Sequence, residues 1–258
     1  ITLDGTGAAG NAGIISDKIN RPAAITVIGG ASSTGDILLR SQGGTGVQSD
    51  AVVQTSGVVT LNAAGGGGVN QTAGSILAGE LRLLGGGTFS LTSTSNNVGT
   101  LAANFNGSID YRNANALTIG AVTSFDGSST TTTTGVTLPG TAGTTVTINS
   151  SGDIAFSAGN ITAGGEVTLN AGVGNIVNNI GSGMQIDTSG ASGSISLAGA
   201  NIGVASAGRI GVNPGTGTVS ATASSGGIYL EQTAGNLLTS KYSLSVAGAG
   251  QNISLATT

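Results

Sequence analysis

The 258-residue chain holds 48 Gly but 3 Pro and no Cys, His or Trp, with 7% charged residues and a formal net charge of −4. Gly is not at every third position and Pro is scarce, which excludes a collagen triple helix. The lack of Cys excludes disulfides and thiolate metal sites, and the absence of any Lys/Arg cluster argues against nucleic-acid binding.

A hydrophobic content of 38%, interleaved with Ser, Thr and Asn, is too high for a disordered chain. The apolar residues are mainly Ala, Val, Ile and Leu, which suit a narrow interior stacked in layers. Helical periodicity is nearly absent: Gly interrupts the Ala-rich stretches, at a cost of about 1 kcal/mol per Gly relative to Ala within a helix.

Taken in order, Ile1-Thr2-Leu3 reads as strand and Asp4-Gly5 as a turn. Ile25 to Ile28 is a strand ended by Gly29-Gly30, and in the strand Ile37 to Arg40 alternation points Ile37 and Leu39 inward and Leu38 and Arg40 outward. Val59 and Leu61 point in with Thr60 out, before the Gly65 to Gly68 run. Glu80-Leu81-Arg82-Leu83 buries two Leu and sets its two charges on the outer face as a weak solvated pair. Ser128 to Thr134 offers nothing to bury and reads as a loop or an exposed edge rung. Residues 127–152 carry no charge, yet their Ser, Thr and Gly content is unsuited to a membrane-spanning helix.

From Val146 to Val212 a Gly-polar-Ile triplet recurs, at Gly152, Gly159, Gly174, Gly193 and Gly208, with Ala200-Asn201-Ile202 a near copy. Each reads as a turn feeding a strand, with Gly supplying backbone angles closed to other residues and Ile beginning the buried side. The expected core therefore includes Ile154, Ile161, Leu169, Ile176, Ile195, Leu197 and Ile202. Three short strands and their turns make a circuit of about 20–25 residues, the period range of a solenoid. Strand centres at Val146, Val167, Ile195, Val219 and Leu244 are matched as equivalent. Eleven or so such circuits, spaced about 4.8 Å apart, predict a rod roughly 50–55 Å long. The chain thus reads as one all-β repeat domain over residues 1–258, a parallel β-helix. It has no Met start or signal-like segment and ends in mid-strand, as expected of an excerpt from a longer chain.

No catalytic constellation is legible, because the eleven acids are scattered and His is absent. No metal or cofactor site is expected either: the Gly-Gly-x-Gly-x-Asp nonapeptide of calcium-binding β-rolls does not recur. Thr144-Thr145-Val146-Thr147 with the Ser128 to Thr134 tract suggests a flat ice-binding Thr array, but without the same spacing on successive rungs outward Thr is simply good strand surface. Strand parity turns Phe89, Phe105, Phe156 and Tyr111 inward, leaving Tyr229 as the aromatic expected to face solvent and the one candidate ligand-binding residue. Asp110 and Arg112 read as a local ion pair. Asp4, Asp36, Asp126 and Asp153 flank Gly as ordinary turn residues. Asn160, Asn175, Asn201 and Asn252 read as a hydrogen-bonding stack.

The passage Val98-Gly99-Thr100-Leu101-Ala102-Ala103, then Gly107-Ser108-Ile109 and Leu117-Thr118-Ile119-Gly120, resembles the repeat region of filamentous-haemagglutinin-like exoproteins. Val167 to Ala171 and Ser194 to Ala198 extend the likeness. These are large Gram-negative adhesins exported by two-partner secretion. The resemblance implies a right-handed β-helix, an outer-membrane translocator as partner, a secreted, cell-surface location and service as an adhesive stalk. Glycans or host or cell-surface receptors are further expected partners, met through shallow polar faces. The family's secretion domain carries Asn-Pro motifs, of which Asn213-Pro214-Gly215 is a partial echo, so the resemblance is to shaft and not to the translocation signal. Two other readings stay open: the shaft of a contact-dependent toxin or a polysaccharide-active passenger, and a filament subunit that associates end to end.

Overall fold

The computed structural model describes residues 35–44, 46–139 and 142–258, with the backbone of the strands Ala12–Ser16, Ile25–Val27 and Ala31–Ser33. The strand expected at Ile1 to Leu3 and the turns at Asp4-Gly5 and Gly29-Gly30 lie outside the described residues. The chain is an all-β solenoid of about ten stacked parallel coils. Among the described residues the helical segments are two three-residue 3-10 turns, Ser206–Gly208 and Thr239–Lys241.

Two compact units divide it. The first comprises residues 1–114 and 121–135, the second 115–120 and 136–258. In the second, three strand positions recur in every coil. One face stacks Leu117–Ile119, Ile154–Phe156 and Ile176–Asn178, continued by single bridges at Ile202 and Ile228. The next stacks Val136–Thr137, Ile161–Thr162, Ile186–Asp187, Ile210–Asn213, Ile228–Gln232 and Ile253–Thr257. The third stacks Val146–Ser150, Val167–Asn170, Ile195–Gly199, Val219–Ala223 and Tyr242–Val246. All pair in parallel, so each strand satisfies its backbone groups from the coils on either side. The first unit follows the same plan, with Ile37–Ser41, Val58–Ala63, Ile76–Gly86 and Asn97–Asn106 in register on one face.

Period-two alternation turns like onto like inside. Ile148, Leu169, Leu197 and Ala221 form one buried file, and Leu39, Leu61, Leu83 and Ala103 another. Ile154, Ile161, Ile176, Ile195 and Ile202 are all buried. In the first unit Phe89 and Phe105 pack with ring centroids 4.3 Å apart. The buried Tyr111 hydroxyl donates to Asn113 Oδ1 at 2.9 Å, which also accepts the Val98 amide.

Three expectations need correction. First, Tyr242, and not Leu244, stacks on Val219; Leu244 sits over Ala221. The corner before Tyr242 is two residues shorter than pattern matching assumed. Second, in three of the five triplets, at Gly152, Gly174 and Gly193, Gly is needed for proximity to neighbouring backbone and not for its backbone angle. Only Gly159 has a positive φ, of 73°. A Cβ on Gly174 would stand 2.3 Å from the Gly152 carbonyl carbon, so Cβ-bearing residues are excluded by the coil stacked against it. Third, outward parity does not mean exposure in the first unit: Leu38, Thr60 and Arg82 are 6%, 1% and 3% exposed. Thr60 and Arg82 are covered by a hairpin whose second strand is supplied by the Ser128 to Thr134 tract, which is therefore neither loop nor rung. Ala121–Phe125 and Thr130–Thr134 form an antiparallel hairpin, whose own Val122, Ser124 and Thr133 side chains are buried against the sheet.

Corners absorb differences in coil length. Between Ile202 and Ile210 the chain makes a loop of residues 203–209, closed by the Val204 amide donating to the Gly208 carbonyl at 3.0 Å. The adjacent coil crosses the same span, Ile228 to Leu230, with Tyr229 alone.

The interior assignment predicts opposite outcomes for two substitutions. Ile195→Asp strands an unpaired charge in the core and lowers stability by more than about 4 kcal/mol. Tyr229→Ala, on the outer side, costs about 1 kcal/mol. Urea unfolding midpoints for the two variants check the difference.

Candidate functional site

Tyr229 lies between the buried Ile228 and Leu230, so the strand pleat turns its ring outward. The ring does not stand free. A Cβ on Gly227 would come within 2.7 Å of ring carbon Cε2, so the ring lies over Gly227 and is half-buried. Its register partner is Ser254. Arg209 reaches over the same surface, donating from Nη1 to the Leu230 and Ser254 carbonyls, each at 3.1 Å, and from Nη2 to Ser254 Oγ at 2.8 Å. With Glu231 two residues along the strand, a phenol, a hydroxyl, a guanidinium and a carboxylate share one shallow outer surface. Such a patch can exchange hydrogen bonds with a polar ligand, while the ring edge offers a small apolar contact.

Tyr229 is not the only aromatic at the surface. Phe125, at the tip of the hairpin, is 40% exposed, and Tyr242 is half-buried, its hydroxyl donating to Gln232 Oε1 at 2.8 Å.

A polar surface runs along the third face of the second unit. One outward file runs Thr147, Thr168, Ser196, Ser220, Ser243; the next runs Asn149, Asn170, Ala198, Thr222, Ser245. Hydroxyls therefore recur on successive rungs, but Asn and Ala break the second file, so no Thr-x-Thr lattice forms. Neighbouring groups bond to one another: Ser194 and Thr218 hydroxyls lie 3.1 Å apart, and Thr168 donates to Glu166 Oε1 at 3.1 Å. In the first unit a shallow depression of about 370 Å³ lies between the Gln71–Gly74 and Thr92–Thr94 turns, lined mainly by polar groups.

The Asp36 and Asp153 carboxylates are occupied structurally. Asp153 Oδ1 accepts the Asn175 amide at 2.7 Å and its side-chain Nδ2 at 3.1 Å; Asn201 Nδ2 then donates to Asn175 Oδ1 at 2.8 Å, and the Gly227 amide to Asn201 Oδ1 at 3.1 Å. Asn175 and Asn201 thus form the expected stack, headed by an Asp and ended by a Gly amide. Asn252 follows at this corner, whereas Asn160 stands at another, stacked on Gln185. Asp36 Oδ1 likewise accepts the Val58 amide of the next coil at 2.9 Å. Asp36 and Asp153 therefore cap neighbouring coils instead of serving only their own turns. Burial, and secondarily the charge of Asp36, raises the pKa of Glu80. Among the described residues no three acidic, His or Cys groups converge to hold a metal ion, and no helix is long and apolar enough to cross a membrane.

The polar cluster missed by sequence reading lies under the hairpin. Arg82 does not meet Glu80 on an outer solvated face. Its Nε donates to Thr133 Oγ1 at 2.8 Å, Nη1 to the Ser124 carbonyl at 2.9 Å and Oγ at 3.2 Å, and Nη2 to Thr131 Oγ1 at 2.5 Å. Asp126 ties the turn, accepting the Ser128 and Ser129 amides at 2.8 and 3.0 Å. The Ser129 amide, with the Ser128 and Thr131 donors, holds its carboxyl far below the usual range. The signal was present: Asp126-Gly127 between Val122-Thr123-Ser124 and a run of β-branched Thr is hairpin chemistry.

Comparison with protein-family models, with curated proteins and with solved structures finds no match.

Burial pushes the Tyr242 hydroxyl up to about 12 and raises that of Tyr111 further. An unfolded tyrosine ionises near about 10, so above that pH the unfolded chain gains charge that the folded one resists. Stability therefore declines as pH rises from about 10 through about 12, and Tyr242→Phe removes the Tyr242 part of the decline. Urea midpoints across that interval, with tyrosinate absorbance, measure it.

Proposed function

We propose that the chain is a structural and adhesive segment of a secreted bacterial cell-surface exoprotein of the filamentous-haemagglutinin-like kind, exported through an outer-membrane two-partner-secretion translocator. The observation that carries this reading is the division of labour across each strand. Inward positions on the third face of the second unit are mainly aliphatic, as in the file Ile148, Leu169, Leu197, Ala221, while its outward positions are, Ala198 apart, small hydroxyl and amide groups repeated rung after rung. A solenoid built in this way is a scaffold first, and its outer faces are shallow and polar, suited to weak, repeated contacts with hydroxyl-rich surfaces. The sequence resemblance supplies the secreted, cell-surface setting. The patch of Tyr229, Ser254, Arg209 and Glu231 is the place on the second unit best equipped to take a sugar, through phenol-edge packing and charged hydrogen-bonding groups.

The test is binding of the purified chain to a glycan array and to immobilised host-cell surfaces. Tyr229→Ala should reduce glycan binding about tenfold while leaving the circular-dichroism spectrum unchanged. Absence of binding to both surfaces removes the adhesive half of the proposal and leaves a scaffold.

A further inference from the structure

The hairpin Ala121–Phe125/Thr130–Thr134 is set apart from everything beneath it. It is antiparallel where the coils are parallel, and it lies on the outer side of their sheet instead of extending a ladder. Its apolar attachment is a small cluster of Val122 with Val58 and Ala102. The rest of its seat is polar: the Thr60 and Ser124 hydroxyls lie 2.7 Å apart, Asn62 Nδ2 donates to the Asp126 carbonyl at 2.9 Å, and Arg82 makes the four bonds given above.

Two cations at this seat, the buried Arg82 and the half-buried Arg40, lack a direct carboxylate partner. All four Arg82 acceptors are uncharged oxygens; the nearest acid in the network, Asp126, is reached only through the Thr131 hydroxyl, which donates to Asp126 Oδ2 at 3.1 Å. Arg40 has a single long bond, from Nη1 to the Gly127 carbonyl at 3.3 Å, and its buried Nε has no partner. Burying a guanidinium without a carboxylate contact forfeits hydration that direct pairing would replace. When the hairpin lifts, the Arg82 guanidinium takes water in place of its four bonds, so those bonds hold the hairpin closed only by a small margin, and just a small apolar contact is lost besides. The coils have no such compensation, because separating them exposes continuous aliphatic files and breaks ladder bonds.

We propose that this hairpin is a strap that opens as a unit, latched by Arg82, while the coils beneath it stay folded. Closed, it covers the strip formed by Val58, Thr60, Arg82 and Ala102; open, it presents that strip and the Arg82 guanidinium to solvent. The strap is a conformational device built onto the scaffold, and access to this part of the sheet depends on its position.

Hydrogen–deuterium exchange of the whole chain tests this. Amides of the paired hairpin strands should exchange at least tenfold faster than those of Val58–Ala63, Ile76–Gly86 and Asn97–Asn106. Arg82→Gln should accelerate the hairpin a further tenfold and leave those strands unchanged. Thr133→Val, which removes the acceptor for Arg82 Nε from the hairpin side, should act in the same direction without altering a coil residue. Exchange of hairpin and coils at one common rate, or acceleration of both together in Thr133→Val, would overturn the proposal.

Discussion

Every coil has to match the one it rests on. In a parallel stack the backbone donors of one strand find their acceptors on the next coil, so a strand has no satisfactory arrangement alone. In-register pairing then places each side chain directly over its counterpart, and any residue accepted inside must fit between its upper and lower neighbours. The buried files of Ile, Leu and Val follow from this requirement. So does the corner chain of Asp153, Asn175 and Asn201, in which each polar side chain reaches the next coil. Glycine at Gly174 answers the same demand, being placed where the next turn leaves no room for a Cβ.

The interior was legible because alternation leaves a direct mark in sequence: Val167-Thr168-Leu169 and Ile195-Ser196-Leu197 each declare which side is buried. The asparagine stack was partly legible because Asn175 and Asn201 precede equivalent isoleucines. Asn160 precedes an isoleucine too but belongs to a different corner, since one coil contains more than one Gly-polar-Ile turn. Register at Tyr242 was missed because corner lengths vary independently of the strands they join.

The outer surface was harder to read. Parity correctly set Arg82 and Thr60 on the side away from the core, but parity carries no information about a segment that folds back over that side. Thr131, Thr133 and Ser124 are unremarkable strand residues until Arg82 lies beneath them. The error came from equating polarity with exposure: a Thr tract has little to bury by the hydrophobic effect, yet it supplies the acceptors a covered guanidinium requires. Tyr229 was correctly turned outward, and its packing over Gly227 was not visible in a sequence pattern that says nothing of which side chains cross a corner.

The loop between Ile202 and Ile210 separates two jobs that are usually entangled. A seven-residue excursion in one coil and the single residue Tyr229 in its neighbour leave both flanking pairings aligned. Such corners give evolution, or an engineer grafting a foreign epitope, a place to change what the surface displays without renegotiating how the chain folds.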